Sequence, residues 1–571
     1  ATSFSRFWTR TNWWEILGLL PQAKQNIVDL IAVSVTINLL SLAVPLAIMQ
    51  VYDRIIPNAS IYTFWWLVGG CIVAIAMEST LRWARMVISG RMIAQFDHLL
   101  GCEAVRKILA CRLEDFDRSS IGEHLDRLSS VTTLSGFYVG QILLALLDLP
   151  FAILYLITIA YLGDWLVILP LVLAIGHLLI VLHARKQYEG FHKGQIETND
   201  RRYDFVIQVL RSLSLVKAQT FEEQMLRRYE RLQAVTAQHN IEAGFWGKLP
   251  AETGVVASQL AIFGMIAFGS GSVVEGALTV GGLSACMMLA GRSLQPMQGV
   301  AQFWFRYSEA ELARSRLEKI NQLTPARLEG LPLFPADIRG SIELRKVSFR
   351  YAPDLPPLLT DVDLRIAPGK HIGIVARSSS GTSTLLYLMM GLCRPESGTI
   401  LVGDYNLMEW DTSDMRGRVE YLPPNGILLR GTILENIAMF DPERHDSALE
   451  AAALVGLNEP VAMLPLGYET PVDNQASTIL PAGIIQRICL ARALATFPRI
   501  LLFDKTTAPL DQEGEAIFLW LLKKLKRRCT VVMVTAQPHF LREMDSVYEI
   551  KEGRLVESPL AEGPFGINRP Q

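Results

Sequence analysis

Two short stretches hold residue types that could do chemistry. The first is His371-Ile372-Gly373-Ile374-Val375-Ala376-Arg377-Ser378-Ser379-Ser380-Gly381-Thr382-Ser383-Thr384-Leu385-Leu386, an apolar strand that opens through a loop of small residues onto a helix. Such a loop aims backbone N–H groups at an anion, and the helix start adds the positive end of its dipole. Of the full phosphate-loop pattern, Gly-x-x-x-x-Gly-Lys-Ser/Thr, only Gly381 and Ser383 remain. Ala376 replaces the first glycine, and Thr382 replaces the lysine that reaches the phosphates. Taken alone, the stretch fits a plain strand-to-helix turn as well as a phosphate site. The second is Arg499-Ile500-Leu501-Leu502-Phe503-Asp504, a continuous apolar run ending in a carboxylate, as a buried parallel strand reads. Ligands collect at the carboxyl ends of such strands. If the two strands are neighbours, Asp504 stands beside the loop and could hold Mg²⁺ through water together with the Ser383 hydroxyl.

The elements around these stretches divide the chain in two. Half of the 571 residues are hydrophobic and 19% are charged, too apolar for an ordinary soluble protein. A net charge of -2 without any Lys/Arg-rich block excludes nucleic acid as a partner. The seven cysteines are scattered from Cys71 to Cys529, with neither a C-x-x-C pair nor a disulfide framework. Apolar runs at about 27–49, 62–83, 141–162, 165–184, 254–269 and 278–289 predict six membrane-spanning helices. Phe4, Phe7, Trp8, Trp13 and Trp14 predict an interfacial segment over 1–26. Cations from Arg85 to Arg127 lie between spans two and three, and a second set from Arg185 to Arg231 lies between spans four and five. The opposite connections hold Arg54 alone. The positive-inside rule then places both termini and both long connections in the cytoplasm. Those connections have few Pro or Gly and read as helices continuing out of the membrane.

Inside the spans, Asp148 is expected to reach water or a partner near the cytoplasmic end, with a bend at Pro150. His177 reads as a packed histidine. The transmembrane part is expected over 27–305. Pro325, Pro332 and Pro335 mark a linker over 306–340. Alternation in Ser341-Ile342-Glu343-Leu344-Arg345-Lys346-Val347-Ser348-Phe349-Arg350-Tyr351 opens a second domain, 341–571, on a strand with one buried face.

The order of these features resembles an ATP-binding-cassette exporter half over nearly the whole chain: six spans, the Tyr351 strand, the phosphate loop, Gly431-Thr432-Ile433-Leu434-Glu435-Asn436-Ile437, Gln486-Arg487-Ile488-Cys489-Leu490-Ala491-Arg492-Ala493-Leu494, and Leu501-Leu502-Phe503-Asp504. Within that superfamily, Met49-Gln50-Val51-Tyr52-Asp53-Arg54-Ile55-Ile56-Pro57-Asn58, Leu147-Asp148-Leu149-Pro150-Phe151 and Leu278-Thr279-Val280-Gly281-Gly282-Leu283 are similar to type I secretion permeases of Gram-negative bacteria. The resemblance implies a fold: a polytopic α-helical membrane domain with six transmembrane helices, followed by an α/β P-loop nucleotide-binding domain. It also implies ATP and Mg²⁺ as ligands. Tyr351 would stack on adenine, and Ala376, Ser378, Ser379, Ser380, Gly381, Thr382, Ser383 and Thr384 would face the phosphates. Ser383 and Asp504 would hold the metal. Pro481, Ala482 and Gly483 would face the γ-phosphate of an opposing site.

The departures fall on the family's reacting positions. Its Leu-Ser-Gly-Gly-Gln signature lands on Leu480-Pro481-Ala482-Gly483-Ile484, its catalytic glutamate on Lys505, its switch histidine on Gln537 and its metal-sensing glutamine on Pro424. A lost charge-assisted phosphate contact costs about 1.5–3 kcal/mol of binding. A missing general base costs about 10²–10⁴ in rate. The expectation is therefore a catalytically degenerate half with no catalytic residues of its own and weak ATP and Mg²⁺ binding. It would be paired with an intact half in the inner membrane and export a protein or peptide through a membrane-fusion adaptor and an outer-membrane duct. The alternatives are a self-sufficient exporter of lipid or peptide, and a non-transporting structural or regulatory subunit.

Overall fold

The computed structural model describes residues 23–326, 331–335, 338–352, 354–375, 381–411, 415, 417–472 and 480–558. Most of the expected interfacial segment, residues 1–22, lies outside them. The described chain divides into two compact units. One is formed by residues up to Leu109 and Ser119–Leu323, the other by Ala110–Arg118 and the chain from Thr324 onward.

The first unit is helical. Its elements are α1 (Ala23–Leu40), α2 (Ala43–Gln50), a π-helical turn Val51–Ile55 and α3 (Ile61–Ala110). After α4 (Leu113–Asp117), which packs with the second unit, come α5 (Ile121–Val139), α6 (Gln141–Gly163), α7 (Ile168–Arg211), α8 (Leu213–Ala218), α9 (Glu222–Val274) and α10 (Val280–Asn321). At about 1.5 Å per residue, the 50 residues of α3 and the 53 of α9 extend well past a hydrocarbon core of about 30 Å. The long connections are thus the same helices continued. Among the described residues, Gln25–Ile55, Ile61–Ala110, Leu147–Arg211 and Glu222–Val274 are long and apolar enough to cross a membrane. The third of these contains both expected spans 141–162 and 165–184 in large part, parted by the 3₁₀ turn Asp164–Val167. α10 covers the expected sixth span but is not among the four, and Arg292 follows that span within three residues. None of the most apolar window of α3 is buried within the chain, and Trp65, Trp66 and Tyr62 stand exposed. Such a face needs lipid or another chain to cover it.

Small residues set the helix spacing inside this unit. Ala257, Ala261, Gly264 and Gly269 of α9 are buried. A Cβ on Gly264 would come within 2.4 Å of Leu169, and one on Gly269 within 2.4 Å of Leu283, so only these small residues let α9 approach α7 and α10 this closely. α6 continues through Pro150 as one helix. His177 is buried with its Nδ1 3.4 Å from Thr253 Oγ1, a packed histidine. Residues 306–321, expected in the linker, are the end of α10, because that stretch contains neither Pro nor Gly.

The second unit is built on two sheets. One has the strand order β2-β1-β4-β5 and is antiparallel: β1 (Ile342–Phe349), β2 (Leu359–Ile366), β4 (Ser397–Val402) and β5 (Tyr405–Asn406). The other has the order β12-β11-β3-β10-β9-β6. Its members are β3 (His371–Val375), β6 (Val419–Leu422), β9 (Ile500–Asp504), β10 (Thr530–Thr535), β11 (Ser546–Lys551) and the antiparallel edge β12 (Arg554–Glu557). The five strands from β11 to β6 are parallel. β3, β9 and β10 are buried at every residue, which is why they read as unbroken apolar runs. A small pair, β7 (Gly431–Thr432) and β8 (Pro471–Val472), stands apart. The helices are α11 (Thr382–Met389), α12 (Ile433–Ala438), α13 (His445–Leu454), α14 (Asn458–Ala462), α15 (Ala482–Leu494), α16 (Gln512–Leu525) and α17 (Pro538–Leu541).

The segment carrying α4 folds with this second unit. Arg112 N–H donates to the Thr324 carbonyl at 3.0 Å, and Ala326 N–H donates to the Ala110 carbonyl at 2.8 Å. The Asp115 carboxylate accepts from Thr324 N–H at 3.1 Å, and Glu114 accepts from Arg394 N–H at 3.3 Å. Two carboxylates of one helical turn thus hold backbone donors more than two hundred residues away in sequence.

Candidate functional site

β3 delivers its carboxyl end at Val375, and α11 begins after Gly381. The loop residues between them, including Ala376, Ser378, Ser379 and Ser380, lie outside the described residues. Gly381 caps α11 in the left-handed region, φ 78°, where a side chain would be strained. A Cβ there would also meet Leu358 Cγ at 3.0 Å. The cap turns the chain so that the first N–H groups of α11, at Thr382, Ser383 and Thr384, lack intrahelical acceptors. Thr382 and Thr384 are buried and Ser383 is partly exposed. The Tyr351 hydroxyl lies 2.8 Å from Thr384 Oγ1. Its ring stands edge-on to Phe349 at 5.0 Å and is 43% exposed, enough to offer a face to a flat ligand. Burial of the hydroxyl end pushes its ionisation upward.

Asp504 ends β9. The strands that carry Val375 and Asp504 are not adjacent: β10 lies between them, pairing Thr535 with Val375 and Val534 with Asp504. The carboxylate therefore sits one residue row below the start of the loop and two strands across, a distance of about 10 Å by sheet spacing. It is 1% exposed. One oxygen, Oδ2, accepts from the Tyr421 hydroxyl at 3.0 Å, and Oδ1 has no protein partner. Tyr421 comes from β6, and its ring meets that of Tyr387 at 5.5 Å. Burial first, then Tyr387 and Asp504, drive its ionisation far upward, so it stays a hydrogen-bond donor. Sequence reasoning passed over Tyr421. The available signal was a tyrosine one residue before the carboxyl end of a strand in the same sheet.

The remaining expected positions gather at the same end of the sheet. Lys505 follows Asp504 with φ 53°, and its N–H donates to the Val534 carbonyl at 2.9 Å. Its ammonium forms no ion pair among the described residues. Gln537 follows β10; its backbone N–H donates to Thr535 Oγ1 at 3.1 Å and its Nε2 donates to Glu515 at 3.0 Å, while its buried Oε1 has no partner. Pro424 follows β6, and the neighbouring Pro423 carbonyl accepts from Gln486 Nε2 at 3.1 Å. That bond ties β6 to α15.

Pro481, Ala482 and Gly483 form the start of α15 and are not joined to the Asp504 group. Pro481 stands at the N-cap with no side-chain cap, and Pro481 and Ala482 are exposed. Gly483 packs on the turn before α16, where a Cβ would lie 3.3 Å from the Pro509 carbonyl. One turn on, the buried Arg487 is held by Asp511 at 3.0 Å and Glu513 at 3.4 Å. The N–H of Gly514, followed by Arg487, keeps the Asp511 carboxyl below its ordinary range.

The arrangement fits a nucleotide in part. A half-exposed tyrosine face, a strand-loop-helix corner with free N–H groups and a carboxylate share one edge of a parallel sheet. Among the described residues no group of three or more metal-ligating side chains is present. Mg²⁺ does not need one, since it takes one or two protein oxygens and fills its shell with phosphate and water. The orphaned Oδ1 of Asp504 and the Ser383 hydroxyl are groups of that kind.

Residues 28–297 match the family described as ABC transporter transmembrane region, and residues 359–508 match the family described as ABC transporter. The chain belongs to the ATP-binding-cassette exporters. Among curated relatives, the exotoxin translocation ATP-binding protein PaxB of Pasteurella aerogenes is 27% identical over 95% of this chain and 76% of its own length. The alpha-hemolysin translocation ATP-binding protein HlyB of Escherichia coli is 27% identical over 93% and 75%. The leukotoxin translocation ATP-binding protein LktB of Mannheimia haemolytica is 27% identical over 95% and 77%. A bacterial Atm1-family ABC exporter, solved with ATP bound, superposes with a TM-score of 0.81 at 18% identity, covering 94% of this chain and 96% of the other. The exporter fold, a helical membrane domain plus a nucleotide-binding domain with α/β sheets, agrees with the expectation from sequence, and the chain is a multi-pass membrane protein.

Proposed function

We propose that this chain is a catalytically degenerate half of an ABC exporter in the inner membrane. It would pair with a competent half and move a protein or peptide outward through an adaptor and an outer-membrane duct. One observation carries the reading: the position after the strand-end carboxylate Asp504 is Lys505, a cation where water activation needs a base. Thr382, Pro424, Pro481 and Gln537 support it, each replacing a group the family uses on phosphate, metal or water. The toxin-translocation names of the relatives support a polypeptide cargo. ATP binding would be weak but present, through Tyr351, the loop from Ala376 to Ser380, Gly381 to Thr384 and the start of α11. Ser383 and Asp504 would hold Mg²⁺.

The proposed topology has six crossings with both termini cytoplasmic, as the arginines of α3, α7 and α9 favour. Cysteines introduced near Asn58, Asp164 and Val273 are expected to react with an impermeant maleimide from outside, whereas those at Arg118 and Arg228 are not. Outside labelling at either of the last two would overturn it. Deleting this chain while its competent partner remains is expected to stop export. Undiminished export would favour the non-transporting alternative instead.

A further inference from the structure

A cavity of about 460 Å³ opens inside the membrane unit, between α1, α3, α6 and α10. Its charges do not balance. Arg85 donates through Nη1 to both oxygens of Asp148, at 3.0 Å each, and Asp148 also accepts from Asn38 at 3.0 Å. Arg82 is held by Glu78 at 2.6 Å. The third guanidinium, Arg292, also lines the cavity. It donates to the carbonyl of Ser41 and has no carboxylate partner among the described residues. Three cations thus face two carboxylates.

Arg292 lies about 18 Å from the start of α10 at the helical rise, within the residues that match the family's membrane region. A charge at such a depth is costly and is kept where it meets a pathway or a partner. The Arg side chain offers a planar fork that a carboxylate fills with two bonds. The cavity volume lies in the range of ligand sites. Polar groups converge there from several elements: the Tyr155 hydroxyl is within 2.6 Å of Ser41 Oγ and donates to Asn38 Oδ1 at 2.9 Å. The apolar lining is confined to small patches such as Ile37, Leu144 and Ala145, with nothing to seat a pair of acyl chains.

We propose that this cavity is an anion subsite for acidic side chains or a free carboxylate of a polypeptide in transit, with Arg292 as its recognition group. The proposal rests on the polypeptide-export reading above. The test uses the purified full chain in nanodiscs of zwitterionic lipid and two fluorescein-labelled twelve-residue peptides, one of alternating Glu and Gly, the other of alternating Gln and Gly. The Glu peptide is expected to bind at least about tenfold more tightly, one charge-assisted pair's worth. R292Q is expected to abolish that preference, while R292K retains part of it. Equal binding of the two peptides by the native chain, or an unchanged preference in a folded R292Q, would overturn the proposal. If R292Q does not fold, R292K decides: a preference as strong as that of the native chain would overturn it, since a lysine lacks the fork. Displacement of the Glu peptide by vesicles containing phosphatidylglycerol, but not by phosphatidylcholine vesicles, would assign the site to lipid headgroups and overturn it. Loss of export on deleting the chain, combined with equal peptide binding, would leave the export reading standing and remove only the subsite.

Discussion

Purified alone, the chain is expected to hydrolyse ATP at least about a hundredfold more slowly than an intact exporter of the family, the lower end of what a missing base costs. Lys505→Glu alone is expected not to restore turnover. A charged lysine cannot accept the proton of an attacking water, so the native residue blocks the step outright. Replacing it returns one group to a site where Gln537 is already engaged with Glu515 at 3.0 Å and where the metal-sensing position is Pro424. Groups that act on one reacting centre are strongly non-additive, so one restored member recovers little. Phosphate release from the native chain and from K505E in the same lipid is the measurement. Turnover in K505E within about tenfold of an intact exporter would contradict the account.

Thr382→Lys is expected to tighten ATP binding by about ten- to a hundredfold, the return of one charge-assisted phosphate contact of about 1.5–3 kcal/mol. Thr382 is the first residue of α11, directly after the left-handed Gly381, so a lysine there starts from the point where the helix N–H groups converge. Tyr351, Ser383 and Asp504 are unchanged by the substitution, which confines the effect to the phosphates. Thr382→Ala is expected to leave the affinity within about twofold, since a neutral hydroxyl adds little to a phosphate contact. Titration calorimetry with ATP and Mg²⁺ reads both variants. An unchanged affinity in T382K would mean that the loop at 376–383 does not cradle phosphate.

Much of this was legible in the sequence because burial on both faces leaves a strong trace. β3, β9 and β10 read as apolar runs, and the small residues of the loop marked the turn onto α11. Helix continuity was legible too, since α3 and α9 contain few Pro or Gly, although the same rule should have carried α10 on to Asn321. What escaped were pairings set by topology. That β10 separates β3 from β9 depends on strand order, to which local pattern is blind. The Tyr421 to Asp504 bond and the clip from Glu114 to Arg394 join residues 83 and 280 positions apart. Arg292 was legible in principle, as a lone cation just past an apolar run, but its significance lies in the cavity around it.

The most direct measurement of the central claim is made on this chain assembled with a competent cassette half in a lipid bilayer. ATPase and export are recorded after replacing the partner's catalytic glutamate by glutamine and, separately, after Asp504→Asn here. The account predicts that the first change drops both activities by at least about a hundredfold, and that the second leaves ATPase within a few-fold of the native assembly. Undiminished ATPase and export after loss of the partner's glutamate would mean that this chain supplies the chemistry itself and would contradict the account.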